Sequence, residues 1–366
     1  MAGISSDNVV PLTQGSEPTE QHFNTVALFG ANGQIGTSIL QALVNCQQQS
    51  FRILAFIPPD TPSPKDSINT SKANDKTNIE VKAEDLTSIS QSDLAGHLKG
   101  VDVIVSALNG KALDSQKLIQ DAGVDAGVKR IYPSEYGMHN VYTQKDGSGW
   151  VHPLWNSKSN INESLLLHPA IFAHKMSYTL IGCGDYYNQD REPIWCPWTQ
   201  SPDSNWVKDH NNKYTLHVIG DPDATSDFTH LDDFAEFLVA TLCRPAQSEN
   251  CRLNVVSDSI SHNEIANLLR RYTGKEVRIE RYSFEDQRGI LSDPGSAPKE
   301  LRDREKEGGE GQSAFPVDFW FLVKGLQGAG RFRWPVGERH EGEFGVGVGG
   351  MRGFEWYLRD LYGGGS

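Results

Sequence analysis

Three glycines, Gly30, Gly33 and Gly36, stand where a short apolar run, Val26-Ala27-Leu28-Phe29, gives way to a helix-like pattern. A chain that turns sharply from strand to helix, and lets its backbone approach a pyrophosphate, needs residues without a Cβ there. The unpaired N–H groups of the new helix then face the anion. Asn32, Gln34 and Ile35 fill the same turn, so the spacing predicts a dinucleotide cradle over residues 30–36. A second group can handle protons. Lys158 lies in Leu154-Trp155-Asn156-Ser157-Lys158-Ser159-Asn160-Ile161, near the start of an expected helix. A lysine in a dry pocket can exchange protons near neutral pH. A surface lysine in a salt bridge is the other reading, and the pattern alone leaves both open. None of the eleven tyrosines has a lysine four residues later, so the Y-x-x-x-K proton donor of ordinary short-chain dehydrogenases is absent.

Other residues fall at the expected strand ends. The second strand runs through Ile57 into Pro58-Pro59, with neither the acid that holds ribose hydroxyls nor the arginine that accepts a 2′-phosphate. Lys65 follows in a polar loop and can reach a phosphate or stay solvated. Asp85, past the third strand, is placed near the adenine or is a helix N-cap. Ala107, Leu108 and Asn109 close the fourth strand on the crevice side. Pro133, Ser134 and Glu135 close the fifth as cofactor contacts, with Tyr136 next to them as a substrate contact. Tyr186, Tyr187, Trp195 and Trp198 either wall a pocket for a flat aromatic compound or pack the interior, and Phe319 and Trp320 have the same two readings. His139, His152 and His230 are candidate proton relays or structural histidines. No His/Asp/Glu cluster has metal-ligand spacing, so no metal is expected.

These residues need a scaffold that brings strand ends together. Apolar runs at 26–29, 51–57, 79–83, 101–107, 129–132 and 178–181 read as strands. Helical patterns separate them, including one with Ile35, Ile39, Leu40, Leu43 and Val44 on a single face. Strands without strict alternation, joined by helices, indicate a parallel sheet buried on both faces. The expectation is α/β: a doubly wound parallel Rossmann sheet with a smaller α/β substrate lobe, and the ligand crevice at the carboxyl ends of the strands. Residues 1–21 are expected as a flexible arm, 22–184 as the dinucleotide domain and 185–362 as the lobe. Segments within about 213–258 are expected to return to the main sheet, and 363–366 to form a tail. Strands are expected at 214–218 and 253–256, helices at 232–242 and 262–272, and a capping box at Ser261 and Glu264. The charged run 299–310 reads as a solvated loop, 337–350 as irregular, and Phe354, Tyr357, Leu358 and Leu361 as a short closing helix.

Composition narrows the partners. The chain has 366 residues, with 47 acidic against 34 basic side chains and a formal charge of −13, the wrong balance for a non-specific nucleic-acid binder. Five cysteines without C-x-x-C spacing read as reduced thiols in a cytoplasmic protein. No apolar run approaches the length of a membrane span. The expected partner is a small aromatic molecule, with no nucleic acid, no membrane, and a monomer or homodimer as the assembly.

The Gly-Ala-Asn-Gly-Gln-Ile-Gly turn, then Pro133-Ser134-Glu135-Tyr136-Gly137, then Lys158, resembles the NmrA-like and isoflavone-reductase-like group of atypical short-chain dehydrogenases. Gly182-Cys183-Gly184-Asp185-Tyr186-Tyr187, His217-Val218-Ile219-Gly220-Asp221 and Phe228-Thr229-His230-Leu231-Asp232-Asp233 extend the likeness over roughly residues 23–330. Pro-Ser-Glu-Tyr-Gly and Cys196-Pro197-Trp198-Thr199 look most like a fungal subgroup. The resemblance implies reduction of a phenolic or conjugated metabolite by NAD(P)H, NADP before NAD, with Lys158 as general acid or base. The missing arginine after Ile57 is a departure that leaves the dinucleotide open. A second departure is the tryptophan-bearing stretch 188–212, which reshapes the pocket. The same family includes NAD(P)-sensing regulators without turnover that bind a partner protein, and the fold also suits a redox-neutral isomerase or cyclase.

Overall fold

The computed structural model describes residues 22–69, 77–138, 152–302, 315–347 and 349–363. The first half supplies strands β1 (Thr25–Phe29), β2 (Arg52–Ile57), β3 (Asn78–Ala83), β4 (Val103–Ser106), β5 (Arg130–Tyr132) and β6 (Ser177–Cys183). Helices α1 (Gln34–Asn45), α2 (Gln91–His97), α3 (Gln116–Ala126), α4 (Pro153–Leu166) and the short α5 (Pro169–Phe172) connect them. The second half runs β7 (Asp185–Tyr186), α6 (Asn205–Asp209), β8 (Tyr214–Ile219), β9 (Thr225–Thr229), α7 (Leu231–Leu242) and α8 (Pro245–Ser248). It continues with β10 (Cys251–Val255), β11 (Asp258–Ser261), α9 (His262–Thr273), β12 (Val277–Tyr282), α10 (Phe284–Ser292), α11 (Lys299–Arg302), α12 (Val317–Gly328) and α13 (Phe354–Tyr362).

The main sheet has seven parallel strands in the order β10-β6-β5-β4-β1-β2-β3. The order reverses between β1 and β4, and a doubly wound sheet opens its ligand crevice at that point. Apolar residues sit on both faces because helices cover both. Ile39, Leu40 and Leu43 of α1 meet Phe234, Phe237 and Leu238 of α7 on one face. Leu94 of α2, Ile119 and Ala122 of α3 and Leu165 of α4 fill the other. The predicted doubly wound parallel sheet is what the chain builds.

The lobe has its own core, centred on α12, α9 and α13. Only part of 213–258 rejoins the main sheet: β10 pairs with β6 and α7 packs on α1, whereas β8 pairs with β12 in a separate parallel two-stranded sheet. A third sheet orders β11-β9-β7. The charged run predicted as a loop from 299 begins instead as α11, because Leu301 turns inward and is buried. The glycine-rich stretch after 337 is irregular but anchored. Phe344 is buried, packs edge-on against Phe237 and lies under the Arg244 guanidinium. The capping box at Ser261 and Glu264 forms as expected. The arm expected at 1–21, the remainder of the charged run at 303–310 and the tail at 364–366 lie outside the described residues.

Candidate active site

The glycine turn is built by close approach. Gly30 has φ +77°, and a Cβ there would lie 2.9 Å from the Ala107 carbonyl oxygen. A Cβ on Gly36 would collide with the Gly30 carbonyl. Gly30 and Ala31 donate to Phe56 O at 3.1 and 3.2 Å, and Gly33 donates to Gly30 O at 3.0 Å. The first helical bond runs from Thr37 N to Gly33 O at 2.8 Å, so Gln34, Ile35 and Gly36 have no carbonyl behind them in α1. The helix start carries no side-chain cap and no acidic residue in its first turn. An open, cation-like helix end beside a backbone too tight for any side chain fits a pyrophosphate.

The other strand ends converge on the same edge. Ala107 N donates to Phe29 O at 2.9 Å, tying the end of β4 to β1. Leu108 is buried, and its carbonyl accepts Ser134 Oγ at 2.6 Å, while Ser134 N donates to Gln116 Oε1 at 2.6 Å. Asn109 is exposed and precedes a 3-10 turn. Pro133, Ser134, Glu135 and Tyr136 are all buried. Tyr136 holds φ +41°, an unfavourable value for a bulky residue. A bond from its N–H to Ile181 O and edge-on packing against Phe234 hold it there.

Lys158 completes this edge from α4. Its Nζ donates to the Glu135 carbonyl oxygen at 2.9 Å. One turn on, Asn162 Nδ2 donates to the Glu135 carboxylate, which is 1 % exposed. One turn back, Trp155 meets Phe319 edge-on at 5.6 Å, and Phe319 lies 6.1 Å from Trp195. Positions 155, 158 and 162 share one face of a helix, so α4 carries an aromatic plate, an amine and an amide in a row. Burial holds the Lys158 ammonium below its ordinary proton affinity, and the Glu135 carboxylate and Cys183 work against that shift. Burial also raises the Tyr136 hydroxyl well above its usual range, and neither that hydroxyl nor Asn162 Oδ1 has a hydrogen-bond partner among the described residues.

The remaining predicted residues divide. Asn32 is partly buried in the turn, and Gln34 donates to Asp190 Oδ1 at 3.2 Å. Lys65 is exposed on a 3-10 turn, in a loop that Asn69 fastens to Gln41 of α1 through bonds of 2.6 and 2.8 Å. The Asp85 carboxylate is engaged in its own turn, accepting from Thr87 N, Thr87 Oγ1 and Ser88 Oγ at 2.7–2.9 Å, and it is not the helix N-cap that was the other reading, since α2 begins only at Gln91 with Ser90 as its cap. Tyr186 sits with Tyr136 around Phe234 in the core between the main sheet, α1 and α7. Tyr187, Trp195, Trp198, Phe319 and Trp320 belong to the lobe core. Tyr187 stacks on Phe354 and bonds Arg352 O, and Trp198 Nε1 donates to Tyr187 O at 2.6 Å. His152 and His230 are helix N-caps, their Nδ1 atoms facing Leu154 N and Asp232 N; His139 lies outside the described residues. Sequence reasoning passed over Trp155 and Asn162, although their spacing from Lys158 was a usable signal. Among the described residues no group of three or more His, Cys, Asp or Glu could hold a metal ion, and no helix is long and apolar enough to cross a membrane.

A family model described as NmrA-like matches residues 22–318. The chain belongs to the NmrA-like family. Among relatives of this NmrA-like chain, an isoflavone reductase homolog of Zea mays is 24% identical over 257 residues, covering 70% of this chain and 76% of that protein. Asnovolin J 5′,6′-dehydrogenase of Aspergillus novofumigatus is 25% identical over 260 residues, covering 71% and 72%. Among solved structures, isoflavone reductase superposes with a TM-score of 0.67 at 17% identity, covering 93% of this chain and 99% of that one. A binary complex of leucoanthocyanidin reductase with NADPH from Vitis vinifera gives 0.65 at 16%, with the same coverage. At such identities the structural likeness speaks for the fold.

Proposed function

We propose that this chain is an NADPH-dependent reductase of a small aromatic or conjugated metabolite, with Lys158 as the proton donor and acceptor. The observation that carries the reading is the single face of α4 that sets the Lys158 amine between the buried Glu135 carboxylate and the Trp155–Phe319–Trp195 aromatic cluster. Gly30, Asn32, Gly33, Gln34, Ile35 and Gly36 would hold the pyrophosphate through the open end of α1. Ala107, Leu108 and Asn109, with Pro133, Ser134 and Glu135, would line the bed of the ribose and nicotinamide. When bound, the nicotinamide supplies a hydride. NADPH is preferred because leucoanthocyanidin reductase, a structural neighbour, is seen with NADPH. Lys65 is the only basic residue between Ile57 and Asn69 and is the candidate for the 2′-phosphate.

The chain's own work is proton handling and exclusion of water. Hydride addition to a conjugated carbon leaves negative charge on the substrate oxygen. An ammonium whose proton affinity burial has lowered gives up its proton to that oxygen more readily than a solvated lysine. The Glu135 carbonyl fixes the direction in which Nζ points, and the aromatic side chains keep bulk water from competing. The test is NADPH and NADH consumption against a panel of phenolic and quinonoid compounds, run on wild type and Lys158→Ala. Turnover with NADPH should fall by about 10²–10⁴-fold in the variant while its NADPH dissociation constant stays within about twofold. Dinucleotide binding without turnover on any compound would favour a sensor. Product formed without cofactor would favour redox-neutral chemistry, and equal rates in the variant would remove Lys158 from the reaction.

A further inference from the structure

The far ends of α1 and α7 meet at two thiols. Cys46 closes α1, Cys243 closes α7, and their sulfurs are 3.7 Å apart across 197 positions of chain. Both cysteines are free, on helices packed side by side over the same face of the main sheet. Cys46 is 9 % exposed beside the exposed Gln47 and Gln48, and Cys243 is partly accessible. The two sulfurs are unequal. The Cys243 thiol, against the cost of burial and with the N–H groups of Gln49 and Gln48, brings the Cys46 thiol down to about 6. Cys243, hydrogen-bonded to Cys46 and partly buried, is pushed up and keeps its proton. The other cysteines differ: burial raises both Cys183 and Cys196, and Cys251 bonds backbone carbonyls at its own turn.

We propose that Cys46 and Cys243 form a reversible dithiol–disulfide site that reacts with hydroperoxides and, once oxidised, staples α1 to α7. The Cys46 thiolate attacks the terminal peroxide oxygen, the O–O bond breaks, and the alkoxide leaves as an alcohol after taking a proton. Cys46 is then a sulfenic acid. The Cys243 sulfur attacks the Cys46 sulfur, the S–O bond breaks, and water departs with the Cys243 proton. Two thiols and one hydroperoxide give one disulfide, one alcohol and one water. The staple joins the helix that opens at the glycine turn to the helix that carries Phe234 beneath Tyr136 and Tyr186.

The experiment treats the full-length protein with one equivalent of cumene hydroperoxide, blocks free thiols with iodoacetamide, and maps the digest by mass spectrometry. A Cys46–Cys243 cross-linked peptide should appear, the intact mass should drop by about two units, and dithiothreitol should reverse both. The melting midpoint of the oxidised protein should rise by several degrees, since the bridge closes a long loop in the unfolded chain. In Cys243→Ser the reaction should stop at a Cys46 sulfenic acid that dimedone captures. Full alkylation of Cys46 and Cys243 after treatment, or cross-links that instead involve Cys251, would overturn the proposal. The wild-type map decides it even where the variant does not fold.

Discussion

At Lys158 two opposed influences set the affinity for a proton. Burial favours the neutral amine, and the Glu135 carboxylate favours the ammonium. Glu135→Gln removes only the second, so the Lys158 pKa falls further and the alkaline limb of the kcat profile moves to lower pH. A limb that stays in place would show that the Glu135 charge does not reach the amine. Gly36→Ala tests the turn, because its Cβ collides with the Gly30 carbonyl that α1 must pass. Thermal unfolding should register a loss of about 1–3 kcal/mol, and NADPH titration should weaken at least tenfold; unchanged titration would separate the turn from the cofactor. Gly36 and Lys158 could be singled out as candidates in the sequence because a phosphate cradle and a proton carrier each call for a residue type at a fixed place. Asp85 suited an adenine contact or a helix N-cap in the sequence, and the short turn that its carboxylate ties together leaves no pattern to read in advance. Trp155 and Asn162 stayed hidden because no motif carries them. They matter only once α4 is laid against β5.

Among the elements, α13 shows how the lobe is closed. Phe354 is fully buried, stacks on Tyr187 at 4.3 Å and meets Trp198 and Phe228 edge-on at 5.1 and 5.0 Å. Its N–H donates to Asp258 Oδ2 at 2.8 Å, and just before it Arg352 bridges to Asp233 and Glu236 of α7. Phe354→Ala should cost about 3–5 kcal/mol in denaturant unfolding. A loss below about 1 kcal/mol would mean that α13 is a loose attachment rather than part of the lobe core. The period of its apolar residues made α13 readable in advance. α12 was not, because Val317-Asp318-Phe319-Trp320-Phe321-Leu322-Val323 is apolar nearly all round and has no face to find. β12 alternates visibly, yet its partner β8 lies some 60 residues earlier, and only the folded lobe selects that pairing.

For the molecule as a whole, the parallel sheet was legible because each strand–helix–strand unit repeats one local pattern, whereas the lobe depends on contacts between distant segments. The two parts share the helix α7, and its first residue boundary has a consequence for acid tolerance. His230 caps α7, its Nδ1 accepting from Asp232 N at 3.2 Å, while Nε2 lies 3.1 Å from the Asn188 side-chain amide. Burial accordingly lowers its proton affinity, against the pull of Asp232 and Asp233. An unfolded histidine takes its proton near pH 6.5, while the folded one resists, so the unfolded state binds more protons in the interval below. Stability attributable to His230 is complete above about pH 6.5 and drains away as pH falls through the folded value. Melting midpoints of wild type and His230→Asn, which keeps a capping side chain, should diverge at neutral pH and converge in mild acid. Parallel curves would defeat the idea. A protein so built would meet an acidified compartment by loosening first at the start of α7, and because α7 runs beside α1 on one face of the sheet with their closing residues touching, the glycine turn that opens α1 would feel that loosening early.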